Sequence, residues 1–206
     1  MLFRSYIDPK GYGSADPNYY YFRKDIKERL LGLAAYKVPN KEKFSYRAAI
    51  VQNEWQKKSA GSFLYGGEAY YGSIQGDSSL VPAKIQAGFP QAGMTKMRYF
   101  SFGPGAGYAY TFVIEKHFYL MLSLIGNLKV NMVTESFRSG DLKNTSIAPS
   151  AILKTGIGYN SNNWSFGANI TGNGLWIKGK SSNNNYYIPS GMFRVQVAKK
   201  FDTRKK

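Results

Sequence analysis

Six charged residues carry the only constellation in this sequence that suggests chemistry: Arg47, Glu68, Lys129, Glu135, Lys154 and Arg194. An alternating residue pattern turns each of them to the polar side of an expected β-strand. In a narrow eight-stranded barrel the interior is filled by side chains, and such charges form a buried ion-pair network with little passage. In a wider barrel they line water and favour anions, because Lys and Arg outnumber Glu. The packed interior is the preferred reading, with Arg47 and Glu68 on neighbouring strands as the natural pair.

Other catalytic or binding arrangements fall short. The chain has a single histidine, His117, placed in a turn beside Glu115 and Lys116. A catalytic histidine needs an acid and a nucleophile within reach, and a metal site needs a second ligand of its kind. The glycines of residues 103–107 lack the following helix, Lys and Ser of a phosphate loop. Alternating on the inward face of a narrow barrel, they are better placed to make room for neighbouring side chains. With no cysteine there is neither a disulfide framework nor a thiolate-bound metal. The expectation is a protein that is not an enzyme and carries no catalytic residue, metal or cofactor.

The elements that must hold the charges are long strands. In residues 118–135 one face reads Phe118, Leu120, Leu122, Leu124, Gly126, Leu128, Val130, Met132, and the other includes Ser123, Asn127, Lys129, Asn131 and Glu135. Before a turn at residues 115–117, Phe102, Pro104, Ala106, Tyr108, Tyr110, Phe112 and Ile114 alternate with Ser101, Gly103, Gly105, Gly107, Ala109 and Thr111. Two long antiparallel strands with one apolar face and one small or polar face suit a membrane-spanning barrel, where lipid wets the outside and all backbone hydrogen bonds close between strands. No apolar run is long enough, at about 18 residues, for a transmembrane helix.

Similar alternation places strands at 44–53, 61–74, 147–159, 164–176 and 187–201. Residues 25–35 fit either an amphipathic helix or the start of a strand over 31–38. The expected fold is an all-β, antiparallel, up-and-down transmembrane barrel of about eight strands, possibly part of a larger one. Residues 1–28 read as irregular or the remnant of an upstream hairpin, 29–202 as the barrel and 203–206 as a basic tail. Short turns at 115 and 161 fall on one end, taken as periplasmic, and long loops at 75, 138 and 179 on the other. Both strand termini then lie in the periplasm. Tyr70, Tyr71, Tyr99, Tyr108, Tyr110, Trp164, Trp176, Tyr186 and Tyr187 are expected in interfacial girdles.

The net charge of +16 is scattered among turns and loops without a basic aromatic motif. That argues against nucleic acid and for contact with anionic outer-membrane lipid. The polar turn Gln56, Lys57, Lys58, Ser59 is either simply solvated or a docking point for a periplasmic or outer-membrane protein. Two other functions are weighed: a membrane-embedded lipid hydrolase, which needs partners for His117, and a soluble calycin-like barrel, which needs oily residues inside.

The segment KFSYRAAIVQNEWQKKSAGSFL is the most specific stretch, with RKDIKERLLGLAAYKVPN before it and the hairpins GYAYTFVIEKHFYLMLSL and GYNSNNWSFG after it. Together they resemble a family of Bacteroidota outer-membrane β-barrels catalogued as a domain of unknown function, over most of the chain from about Tyr19. The resemblance implies a barrel fold in the bacterial outer membrane and no particular activity. Members of that family carry a signal peptide and further strands upstream, and this sequence lacks both. It therefore looks like an amino-terminally shortened member or a gene read from an internal start.

Overall fold

The computed structural model describes residues 23–181 and 185–199. They form seven strands: β1 (Lys27–Lys37), β2 (Ala60–Gln75), β3 (Met94–Ile114), β4 (Phe118–Phe137), β5 (Gly140–Asn160), β6 (Trp164–Lys178) and β7 (Asn185–Lys199). Each pairs antiparallel with the next, giving one up-and-down sheet in the order β1 to β7, curled into a half-barrel. A helix, α1 (Tyr46–Ile50), follows β1, and a 3-10 turn at Ala83–Gly88 precedes β3. No described helix is long and apolar enough to cross a membrane, which says nothing of crossing by strands.

The strands are long: β3 and β5 have 21 residues each and β4 has 20. At about 3.3 Å per residue such strands run some 65 Å, several times the usual strand. Alternation sorts their side chains cleanly. Leu33, Phe63, Leu124, Ile147 and Phe193 point outward and are 71%, 72%, 60%, 68% and 67% exposed. Ser101, Thr111, Ser123, Asn127, Lys129 and Asn169 point inward and are buried. The sheet is thus apolar outside, and its interior holds most of the buried polar and charged side chains together with apolar clusters.

The ends are named here by β1. At the Lys27 end lie the connections 76–93 and 138–139 and residues 179–181 after β6, and at the Lys37 end lie 38–59, 115–117 and 161–163. Of residues 25–35, for which a helix was weighed, those from Lys27 on are strand, because β1 pairs with β2 over its full length from Lys27↔Gln75 to Lys37↔Tyr65.

That pairing overturns the strand expected at 44–53. With β1 bonded directly to β2, no edge is left for a strand between them, and the segment folds into α1 inside the curled sheet. The Ser45 side chain caps the helix by accepting from the Ala48 N–H at 3.1 Å. Phe44, just before the cap, packs with Leu64, Ala109, Ile125 and Ile152. The Ala48, Ala49 pair favours a helix, so local propensity and the lack of a free edge agree.

Two further expectations change with it. The turn at Arg138 and Ser139 is a tight two-residue connection, and the long 38–59 connection sits at the end of the short turns, so loop length does not separate the ends. With seven strands, β1 starts and β7 finishes at opposite ends rather than the same one. Phe201, the tail at 203–206 and most of the 1–28 segment lie outside the described residues.

Replacing Phe44, 1% exposed at the centre of its cluster, by Ala should lower stability by about 3–5 kcal/mol. A urea titration in detergent would show a lower midpoint with the strand signature of the circular dichroism spectrum retained.

Candidate functional site

The interior is built on a lane of missing side chains along β3. Tyr36 stands opposite Gly66, Gly66 opposite Gly105 and Gly105 opposite Asn127. Because two glycines separate them, the Tyr36 hydroxyl reaches over β2 and β3 to donate to Asn127 Oδ1 at 2.5 Å. One step along, Glu68 faces Gly103. A Cβ on Gly103 would lie 2.8 Å from the Lys129 Cα and against the Leu128 carbonyl. With that space empty, Lys129 Nζ meets Glu68 Oε2 at 2.5 Å across β3, both side chains fully buried.

The pair is held from a third side. Lys129 Nζ lies 4.4 Å from the centre of the Tyr70 ring, a cation–π contact. The Tyr70 hydroxyl donates to Glu68 Oε1 at 3.4 Å and accepts from Asn173 Nδ2 of β6 at 2.8 Å, closing the network across the interior. Asn131 Nδ2 of β4 donates to the Trp176 carbonyl of β6 at 3.4 Å.

Apolar and polar layers block the interior on both sides of this network. Towards the Lys27 end Met97, Tyr99, Val133, Leu175 and Ile177 pack together. Glu135 caps that end by accepting from the Lys180 N–H at 2.8 Å, the Ser181 N–H at 2.9 Å, Ser181 Oγ at 2.6 Å and the Tyr186 hydroxyl, which fastens the β6–β7 loop. Towards the Lys37 end α1 fills the space. Tyr46 bonds Ser123, and buried Gln52 donates from Nε2 to the Tyr119 hydroxyl at 3.0 Å. Gln52 adopts a left-handed φ of 60°, which turns the chain out of the helix.

Of the six expected lumen charges, Glu68, Lys129 and Glu135 are buried inside. Lys154 is half-buried on the inner face, its Nζ 5.5 Å from the Tyr46 ring centre. Arg194 lies on the inner face of edge strand β7 but is exposed, its Nη2 3.6 Å from Met192 Sδ. Arg47 is misplaced by the sequence pattern: it sits on α1, 64% exposed, with Nε 3.4 Å from Glu54. The partner of Glu68 is therefore Lys129 and not Arg47. Tyr70, Tyr99 and Tyr186, assigned to girdles, face inward, as the parity they share with Glu68, Met97 and Ile188 indicates. Asn173 falls on the polar face that alternation gives its strand, whereas Tyr36 drew no notice in the sequence; its signal is the inward glycines opposite it.

His117 lies in the turn between β3 and β4. Its Nδ1 lies 2.7 Å from the Asn160 carbonyl oxygen, and the ring stacks on Tyr159 and leans on Trp55. Trp55 in turn donates to the Lys116 carbonyl at 2.6 Å. The polar turn at 56–59 borders a cleft of about 890 Å³ at the Lys37 end, lined by Lys41, Lys43, Lys57 and Lys58 with Glu42 and Glu54. No group of three or more His, Cys, Asp or Glu with metal-binding geometry occurs among the described residues. Outside the strands, at the Lys27 end, Arg23 binds Asp25 through Nε at 2.6 Å and Nη2 at 2.5 Å. This contact, with the Asp77 N–H, holds the Asp25 carboxyl well below the usual carboxylate range against the opposing pull of burial.

A family model described as Domain of unknown function (DUF4421) matches residues 3–201. No curated protein and no solved structure matches the chain.

Removing one partner of a buried ion pair strands the other charge. Lys129→Met and Glu68→Leu should therefore each cost about 3–5 kcal/mol, whereas the two combined should recover most of that loss. A double-mutant cycle read from urea midpoints measures the coupling.

Proposed function

We infer that this chain, which belongs to the DUF4421 family, is an integral β-barrel of a bacterial outer membrane, of the Bacteroidota kind that its motifs resemble, with a plugged interior. Its role in this reading is structural: an anchor or assembly platform rather than an open pore or an enzyme.

The observation that carries the reading is the apolar outer face of the sheet. Every strand turns large apolar residues outward, from Leu31 and Leu33 on β1 to Val195 and Val197 on β7. A soluble chain does not leave a continuous apolar face of this extent in water. On β4 the outward run from Leu120 to Val130 rises about 33 Å along the strand, or about 25 Å at a 40° tilt, the height of the apolar band of an outer-membrane barrel. Outward aromatics bracket that run: Phe118, Tyr159 and Trp164 near one end, Tyr71, Phe100 and Tyr187 near the other.

The interior supports a plug over a passage. α1, the Lys129–Glu68 layer and the capped β6–β7 loop succeed one another along the axis. The hydrolase reading needs a carboxylate beside His117, whose Nδ1 lies instead 2.7 Å from the Asn160 carbonyl oxygen. The calycin-like reading requires apolar residues where Glu68, Asn127, Lys129 and Asn131 stand. We assign the Lys37 end to the periplasm, with the lysine-lined cleft there as the place for an anionic lipid head group or a periplasmic partner.

Detergent-extracted protein should fractionate with outer membranes and shift in mobility on a denaturing gel after boiling. In planar bilayers it should give no steady conductance. A chain recovered in the soluble fraction without a heat shift contradicts the barrel; steady conductance of the intact chain contradicts the plug.

A further inference from the structure

The ladder between β5 and β6 stops before either strand does. Paired residues run from Asn160↔Ser165 to Ser150↔Leu175, although β5 begins at Gly140 and β6 continues to Lys178. Pro149, next along β5, has no N–H to give and marks where the pairing ends. Beyond it the end of β6 turns into the barrel. Asn131 and Glu135 face inward on β4, with β5 between them and β6, yet they bond the Trp176 carbonyl and the Lys180 and Ser181 N–H groups. Ile177 is fully buried in the cluster that holds Val133. Continued straight, Lys178 would stand opposite Ile147; its carbonyl instead accepts from Asn144 Nδ2 at 2.8 Å. The wall therefore carries a notch between Pro149 and Asn144, with Leu175 and Ile177 behind it.

We propose that this notch docks a phosphorylated glycolipid of the outer leaflet. The proposal rests on the membrane-barrel reading above and on its placing of the Lys27 end at the outer surface. Acyl chains find an apolar shelf at the notch. Ile147, paired with Val130 at the edge of the apolar band, is 68% exposed beside Pro149, and the Trp176 ring lies over Gly174. Nearer the Lys27 end, Lys143 of β5 and Lys178 of β6 are exposed on the outward face, and the Asn144 bond to the Lys178 carbonyl makes them neighbours. Neither lysine is in an ion pair among the described residues. Asp141, the next outward carboxylate on β5, is held by Arg98 Nη2 at 3.6 Å. Two adjacent ammonium groups at the polar boundary of a bilayer suit a phosphate. Between them and Pro149, no described backbone group pairs with the β6 side of β5 over residues 145–149. Such groups need partners in a membrane, and the hydroxyls and amides of a glycolipid supply both donors and acceptors. A glycerophospholipid brings the phosphate without the amides.

The chain has no cysteine, so a single fluorophore can be placed at will. Met132→Cys lies outward on β4 opposite Thr145, beside the notch and outside it. The labelled full chain, extracted in mild detergent and stripped of lipid, is titrated with diphosphorylated lipid A, with its dephosphorylated form and with phosphatidylglycerol. The fluorophore should respond to the phosphorylated glycolipid at about tenfold lower concentration than to either other lipid. Lys143→Gln with Lys178→Gln should weaken that binding by about tenfold or more, whereas Lys57→Gln with Lys58→Gln at the opposite end should leave it unchanged. A fluorophore on Leu122→Cys, near the Lys37 end, should stay silent. In protein that still shifts on boiling, no response, equal binding of the dephosphorylated lipid, or a lysine double variant that binds as well as the parent overturns the site and leaves the barrel intact. Equal binding of phosphatidylglycerol overturns the glycolipid as occupant. A chain that never enters membranes overturns the barrel and the site together.

Discussion

A lysine ammonium shut inside a sheet has to be neutralised where it lies, and in this protein the way Lys129 reaches Glu68 governs the interior. The two residues sit on β4 and β2 with β3 between them, so their contact exists only because Gly103 has no side chain to block it. The same device lets Tyr36 cross Gly66 and Gly105 to Asn127. Any larger residue along this lane would push the charges apart and leave each of them buried alone, at a cost on the scale of a small domain's whole stability. Glycine here is spent on distance between neighbours rather than on backbone freedom.

The layers above and below follow from that central pair. Tyr70 lies against the ammonium and carries the network to Asn173 on the far wall, tying β2 to β6. Beneath it α1 brings Phe44 into a cavity that strands alone would leave void, and above it Glu135 gathers three loop donors and the Tyr186 hydroxyl. A sheet whose outside is apolar gains nothing from burying that face against itself. Its specificity therefore rests on these inward contacts and on the backbone ladder.

Much of this is written in the period-two pattern. The inward and outward faces of β3 to β7 follow from alternation alone, and Glu68, Lys129 and Glu135 emerge as buried charges because parity places them there. What alternation cannot do is recognise a short stretch that imitates it. Phe44, Tyr46, Ala48 and Ile50 alternate as well as any strand, yet the direct pairing of β1 with β2 removes the edge they would need, and Ser45 caps a helix instead. Because that pairing joins residues far apart in the chain, no local window contains it. The error carried through to Arg47, to its supposed bond with Glu68 and to the strand count, and hence to which end holds each terminus. Tyr70 and Tyr99 were lost differently: aromatic type was read as an interfacial signal where parity pointed inward.

The account stands on lipid outside and a sealed polar interior. Its most direct test is a nitroxide scan along β4, one label at a time from 118 to 132, reading collisions with oxygen and with a water-soluble nickel complex in reconstituted bilayers. The account predicts a period of two. Labels at 120, 122, 124, 128 and 130 should meet oxygen and exclude nickel, and those at 123, 125, 127 and 129 should be shielded from both. Equal access of the nickel complex to the outward positions would place that face in water and contradict the membrane barrel.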